Sequence, residues 1–511
     1  MSSAAESAEV LEAPDAAPKL KAMRLRLHAQ HQSIVVMRTD CHVCRAEGLS
    51  QRSQVLVRVR GREVQALLYQ LDDGLPPDTV ALSEEAWRRL AAQEGDEVQV
   101  THPLIIESLA NVRRRIYGHR LDDDAMLSIV KDVAAGRYSE VQLAAFLTAS
   151  AALPLDESET LALTKAMVAV GERLVWSAPI VLDKHCIGGL PGNRTTPIVV
   201  AIVAAHGLIM PKTSSRAITS PAGTADTMET IAPVTLSMAD MRRVVGEVGA
   251  CIAWGGAVQL SPADEVFVRI ERELDIDTEG QLIASVLSKK VAAGATHVVI
   301  DIPVGPTAKV RSAEAAAHLS QRLTRVGAQM GLTIICLQTD GAQPVGRGIG
   351  PALEARDVLA VLQGDESAPQ DLAQRASRLA GVALEMGGVA TEGQGYALAW
   401  ETLQNGRAWQ KFQQIVQAQG GMRELPLAPH LHSLEAPRAG RVVYIDNRRL
   451  ARLAKLAGAP ESKAAGLLMH VRLGDEVARH QSLLTIHAQS AGELSYALAY
   501  WQGEADIIKV I

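Results

Sequence analysis

The chain has 511 residues, 48% of them hydrophobic but only 3% aromatic, which excludes a disordered or fibrous chain and argues against stacking platforms for single-stranded nucleic acid. Lys plus Arg (51) less Asp plus Glu (57) leaves −6, so the chain lacks the electrostatic footprint of a nucleic-acid binder. Five cysteines, an odd number, form no disulfide framework and favour a reducing cytoplasm.

Length alone suggests about three or four domains. Residues 1–19 are rich in Ala, Ser, Glu and Pro and lack the basic and apolar regions of a signal peptide; a disordered tail is expected over 1–25. Residues 26–102 read as a small β-rich domain, with short strands at 33–37, 55–60, 64–69 and 97–101. Ser83 with Glu84 and Glu85 marks a helix start, and Gly95 its expected end.

Residues 103–177 carry apolar positions at three- and four-residue spacing and read as a helical domain that later helices join. One helix is expected from Asp122 or Asp123. Another is expected over Asp156–Val170, with Leu161, Leu163, Met167 and Val170 inward. Residues 178–428 read as an α/β domain with a mixed sheet: apolar runs at 179–182, 198–205, 297–302 and 332–336, read as buried strands or helix cores, alternate with Ala-rich helical stretches at 312–330 and 353–363. The longest apolar run, Pro197–Pro211, includes His206 and falls short of the about 20 residues that a membrane span needs. Residues 429–511 read as a small α+β domain, with strands at 441–444, 467–471 and 482–486. The expected class is therefore multi-domain α/β.

The chemistry concentrates in two segments. Asp183-Lys-His-Cys-Ile-Gly-Gly-Leu-Pro-Gly-Asn-Arg-Thr-Thr196 follows an apolar run, where a strand ends. A Gly-rich turn exposes backbone N–H groups, and a following helix N-terminus attracts anions. Lys184 adds a compact positive charge, Thr195 and Thr196 add hydroxyl donors, and His185 can move a proton near neutral pH. The bland alternative is that Gly188, Gly189 and Gly192 only build a tight turn. A P-loop fits poorly, because Gly189-x4-Arg-Thr lacks the second Gly and the Lys. The second segment, Pro211-Lys-Thr-Ser-Ser-Arg-Ala-Ile-Thr-Ser-Pro-Ala-Gly-Thr-Ala-Asp226, concentrates hydroxyl and basic groups. Such a run occurs innocently in exposed loops. Two such loops converging on one pocket would suit a phosphate and a sugar, with Lys184, Arg194, Lys212 and Arg216 as the cations.

These segments resemble the thymidine phosphorylase and pyrimidine-nucleoside phosphorylase family. Asp183–Gly192 is similar to the family pattern Asp-Lys-His-Ser-Thr-Gly-Gly-Val-Gly-Asp, and residues 212–226 match a string of the AMP phosphorylase branch throughout. Gly280–Lys290 and Thr339–Gly346 resemble two further signatures, and the similarity runs from about 105 to 500. The extra N-terminal domain fits the same subgroup.

The resemblance implies a pentosyltransferase that performs reversible phosphorolysis of a nucleoside or a nucleoside 5′-monophosphate. No cofactor is implied, since inorganic phosphate is the co-substrate. It implies phosphate binding by Lys184, Thr195, Ser214 and Thr224, with Cys186 replacing a family Ser. His185 matches a His near the base, and Asp277 matches the AMP branch's proton donor. Ser285 and Lys289 match base-holding groups. Gly189, the loop Ser215, Arg216, Ala217, Ile218, Thr219 and Ser220, and Lys309 match nucleotide-binding positions. Glu271 stands where thymidine phosphorylases carry an Arg, which argues against thymine recognition, and a 5′-monophosphate is expected to be used at least as well as thymidine. The implied partners are small molecules and further copies of the chain, as a homodimer through the helical part or a larger homo-oligomer, with no nucleic-acid polymer and no membrane.

The remaining features read as structural. Cys41-His-Val-Cys44 has zinc-knuckle spacing but no second pair, and a surface turn is expected there. Cys251 and Cys336 read as core. Asp264-Glu265 reads as a helix start, against magnesium binding in a phosphoribosyltransferase of related fold. Gly466–Ile486 is similar to a lipoyl or biotinyl sandwich but has no Lys at its Met469-His470 tip, which points to assembly and not carriage. The rivals are that phosphoribosyltransferase and a nucleotide-binding relative without turnover.

Overall fold

A computed structural model describes residues 20–30, 32–103, 105–217, 220–276, 278–504 and 506–511. It forms two compact units, one of residues up to Ala110 with Asp132–Leu143, the other of Asn111–Lys131 with Ala144–Ile511.

In the first unit, the strands Leu20–Arg24, Ile34–Arg38, Gln54–Val59, Arg62–Leu71, Thr79–Leu82 and Glu97–Thr101 close into a barrel. Leu20, Val35, Met37, Val57, Leu68, Leu82 and Val98 fill it. The barrel therefore starts inside the segment expected to be tail. Leu20 and Ala22 alternate inward, and Leu20–Arg24 pairs with both Thr79–Leu82 and Glu97–Thr101. The Ser83 hydroxyl accepts from Ala86 N–H and starts the helix Glu84–Leu90. That helix stops at a left-handed Ala91, short of Gly95. Cys41 and Cys44 are not on a surface turn: both are buried in the barrel core, Cys41 at the start of the short helix His42–Ala46 and Cys44 within it.

Helices follow at Leu109–Ile116, Asp123–Ala134, Glu140–Ala152 and Glu157–Ala169. The last opens on a capping box between Asp156 and Glu159. Glu159 is buried and takes Arg115 at 2.6 Å. Leu163 and Met167 are buried, whereas Leu161 and Val170 are only half-buried.

The α/β sheet runs Thr333–Asp340, His297–Val304, Leu182–Cys186. A parallel bridge from Val181 to Ile209 continues it to Met210–Ser214, which pairs with Ala250–Trp254. All these pairings are parallel, where a mixed sheet was expected. Parallel order brings the loops after Cys186, Ser214, Trp254, Val304 and Asp340 to the same end, where open α/β sheets bind ligands. The run 198–205 is a helix, Thr196–Ala205, buried along its whole length in the core. Helices Glu279–Ala292 and Ala313–Gln329 contribute to a second core with His297–Val304.

Among the described residues, antiparallel pairing within 178–428 is confined to Gly348–Ile349, which leaves the α/β part to pair with Gly466–Met469. The C-terminal domain thus borrows a strand from its neighbour, and Ile349 lies in its core. Its own strands include His430–Glu435, Gly440–Ile445 and Ser482–Ala488, covered by helices Asn447–Leu456 and Ala491–Gly503. Among the described residues no helix is long and apolar enough to cross a membrane.

Candidate active site

Lys184 lies on the strand Leu182–Cys186 and is buried. Its Nζ donates to Thr195 Oγ1 at 2.8 Å, just before the helix Thr196–Ala205 with its early Pro197. The connecting turn needs left-handed backbone at Gly188, Gly189, Gly192 and Asn193. A Cβ on Gly189 would stand 2.5 Å from Lys309 N, and one on Gly192 would run into Val345 O. These glycines therefore let the turn pack against backbone near Lys309 and against the Thr339–Gly346 segment. Burial pushes the Lys184 pKa down.

Asp183, beside it, is buried between Lys290 at 2.8 Å and Lys212 at 3.2 Å. Burial alone would raise its pKa, but the two ammoniums hold it below the ordinary value. Lys212 is thus paired with Asp183 and is not the free phosphate-binding cation expected from its neighbours in sequence. Burial pushes the His185 pKa well below its usual value, and Lys290, Lys212, Lys289 and Lys184 add to the effect. His185 is therefore held in its neutral form, which offers one N–H and one lone pair.

Burial raises the Cys186 thiol to about 12, with Asp301 adding to it. Asn193 Nδ2 donates to Asp301 at 3.1 Å and to Cys186 Sγ at 3.4 Å, while Thr339 Oγ1 donates to Asp301 at 2.6 Å. Asn193 and Asp301 were missed from sequence. Asp301 had a signal: it is a lone charge in the apolar strand His297–Val304, and buried charges need partners.

Ser214 ends the strand Met210–Ser214, and its buried Oγ has no protein partner among the described residues. Thr224 begins the helix Thr224–Ile231, and its hydroxyl accepts from Arg194 at 2.9 Å. Arg194 also donates to Ala222 O at 2.9 Å and pairs with buried Glu354 at 2.7 Å. The four expected phosphate residues are thus linked in part: Lys184 to Thr195, next in chain to Arg194, and Arg194 to Thr224.

Arg216 makes two bonds to Glu229, at 2.6 and 2.7 Å, and lies 3.3 Å from Asp226. Its guanidinium sits over the Trp254 ring, 4.6 Å from the centroid. Its charge is therefore matched, so it is not the bare cation that the expected 5′-phosphate contact calls for. Ala217 N–H donates to Asp226, Ser215 O accepts from Ala225 N, and Ser220 Oγ donates to Ala222 O. Ile218, Thr219 and Asp277 lie outside the described residues.

Ser285 and Lys289 stand one turn apart on Glu279–Ala292. Lys289 Nζ donates to Asp264 at 2.7 Å and to Ser285 Oγ at 3.0 Å. Asp264, in the first turn of Pro262–Leu274, is thereby an anchor for Lys289. Among the described residues no group of three or more His, Cys, Asp or Glu is arranged to hold a metal.

The family model described as the glycosyl transferase family helical bundle domain matches residues 110–171, and the a/b domain model matches 178–409. A Chelativorans sp. (strain BNC1) protein named "Putative thymidine phosphorylase" is 68% identical over 495 residues, 96% of this chain and 97% of its own. A protein of the same name from Parvibaculum lavamentivorans is 66% identical over 494 residues, 96% of this chain and 98% of its own. The chain belongs to the thymidine and pyrimidine-nucleoside phosphorylase family. It is an enzyme of the pentosyltransferase class. A solved anthranilate phosphoribosyltransferase from Thermus thermophilus is 22% identical, with a TM-score of 0.49 over 60% of this chain and 98% of that one. Every candidate residue from Lys184 to Lys309 falls within the stretch matched by the family's a/b domain.

Proposed function

We propose that this phosphorylase-family enzyme catalyses reversible phosphorolysis of the N-glycosidic bond of a nucleoside or a nucleoside 5′-monophosphate, giving a free base and a pentose 1-phosphate or its 5-phosphate derivative. The observation that carries this is the set in which Lys184 bonds Thr195 and Arg194 bonds Thr224, with Thr195 and Thr224 at two helix starts, together with a buried Ser214 hydroxyl that has no partner among the described residues. Such a set suits a phosphate dianion held by fixed donors. No resident cofactor is needed.

A phosphate oxygen attacks the anomeric carbon while the C–N bonding pair leaves with the base. The transition state is oxocarbenium-like, and the base takes up a proton as it departs. Lys184, Thr195, Ser214 and Thr224 position the phosphate. Ser285 and Lys289 hold the base, with neutral His185 as a further hydrogen-bonding group. Asp277 supplies the proton, a role that rests on the family resemblance alone. The 5′-monophosphate is the favoured substrate, because residues 212–226 carry the AMP-branch string and Glu271 replaces the Arg. Gly189, the 215–220 loop and Lys309 would then meet the nucleotide. Assembly as a cytoplasmic homodimer or larger homo-oligomer belongs to the same reading.

The test is a panel of thymidine, AMP, CMP and UMP with inorganic phosphate in EDTA, read by base release. Turnover of a monophosphate at least equal to that of thymidine is the expected result. Thymidine turnover alone would overturn the nucleotide preference. No base release from any nucleoside or nucleotide would overturn phosphorolysis, and magnesium-dependent formation of pyrophosphate would favour the phosphoribosyltransferase instead.

A further inference from the structure

We infer that Lys463, on the C-terminal domain, is a positioning residue that keeps the Asp226 carboxylate on the Ala217 and Gly223 amides and neutralises the carboxylates beside them. Its Nζ lies 3.1 Å from Asp226 Oδ1 and 3.3 Å from Glu229 Oε2. Asp226 is the hub of this arrangement. Its Oδ2 accepts from Ala217 N–H at 2.6 Å and Gly223 N–H at 3.0 Å, so one carboxylate oxygen ties the two ends of the loop together. Its Oδ1 faces Arg216 and Lys463.

The local charge balances through Lys463. Asp226 and Glu229 bring two negative charges, and Arg216 brings one positive. Lys463 brings the second positive charge and makes the cluster neutral. Arg194 is offset by Glu354, and Arg423 reaches the backbone carbonyl of Glu229, at 2.8 Å, rather than its carboxylate. Without Lys463 a net carboxylate charge would face the region proposed to receive phosphate, and like charges oppose binding. Asp226 would also turn toward Arg216 alone and relax its hold on the two amides.

Lys463 is itself held by backbone. It lies between the helix Asn447–Leu456 and the strand Gly466–Met469, and its carbonyl accepts from Ala352 N–H at 3.0 Å. Gly350 passes so close that a Cβ there would run into Ala465 O. The borrowed strand Gly348–Ile349 pins the same turn from its other side. The C-terminal domain thus delivers one cation to a fixed place in the α/β domain, beyond a role in assembly.

The kinetic consequence rests on the proposed phosphorolysis, whereas the positioning does not, so two measurements separate them. Amide hydrogen exchange at Ala217 and Gly223 is compared in the full-length wild type, Lys463→Met and Lys463→Arg. Faster exchange in Lys463→Met, restored in Lys463→Arg, with exchange in the N-terminal barrel unchanged, is the expected result. Unchanged exchange at both amides would overturn the inference. In phosphorolysis, Lys463→Met should raise KM for inorganic phosphate or a 5′-monophosphate about fivefold, with kcat within about twofold, as suits a half-exposed ion pair. Lys463→Arg should return KM toward wild type. A fall in kcat at constant KM would overturn the inference. A wild type that releases no base would sink the proposed function while leaving the exchange measurement decisive.

Discussion

Asp183 and Lys290 form a fully buried ion pair, with Oδ2 and Nζ 2.8 Å apart on a strand and a helix separated by 107 positions in the chain. Lys212 completes the group at 3.2 Å from the other carboxylate oxygen. One carboxylate thus serves two ammoniums from two other elements, on the strand that also carries Lys184 and His185.

Removing the shared carboxylate leaves two buried cations facing each other. Asp183→Asn should cost about 3–5 kcal/mol of stability, measured by chemical denaturation. Lys290→Met leaves a balanced Asp183–Lys212 pair and should cost clearly less. Equal losses in the two variants would contradict the shared-carboxylate account.

The resemblance aligns Cys186 with a phosphate-binding Ser, and a thiol is the poorer donor. Cys186→Ser should lower KM for phosphate by about two- to fivefold in steady-state phosphorolysis. Burial holds the thiol near 12, so wild-type Cys186 should resist alkylation by iodoacetamide at pH 8.

Lys289 is aimed by Asp264 and Ser285. Lys289→Met should lower kcat/KM for the nucleoside or nucleotide about 10- to 100-fold, the value of a hydrogen bond to a charged group. Asp264→Asn should act in the same direction but less strongly, because it misplaces Lys289 without removing it. Initial rates against each substrate separate this from an effect on phosphate.

Asp357 gives a pH signature where the C-terminal domain joins. Burial raises its carboxyl from 3.8 to about 6, partly offset by the N–H groups of Gly348 and Arg347 and increased by Asp371. A raised carboxyl binds its proton more tightly in the folded state. That stabilisation is full below about pH 4 and is lost as pH rises through about 6, a swing of about 2–3 kcal/mol. The melting temperature of Asp357→Asn, relative to wild type, should therefore climb between pH 4 and 6 and level off above. A difference that stays flat across this range would refute the assignment.

Much of the architecture was legible because it is written locally. Ser83, Asp156 and Ser312 each start a helix from its own first turn. The Ala-rich helices and the buried apolar runs 297–302 and 332–336 follow from composition and period, though period left strand and helix core open for those runs and the parallel pairing of His297–Val304 with Thr333–Asp340 decides it. The elements that escaped are short and depend on distant partners. Leu20–Arg24 is a strand only because two barrel strands flank it, and Gly348–Ile349 only because Gly466–Met469 lies beside it. Cys41 and Cys44 looked like a surface turn because nothing local shows that the barrel covers them.

The sequence by itself determined the family, through side chains contiguous in the 183–196 and 212–226 segments, and with it the residue types available to hold a phosphate. Only the tertiary structure decided which cations are committed to other groups. Lys212 went to Asp183, Arg194 to Glu354, and Arg216 to Glu229, while Lys463 arrived beside Asp226 from 237 positions away. Counting charges along a chain cannot separate paired from unpaired ones, because Coulomb attraction acts through space and burial makes each ion take the nearest partner the fold supplies.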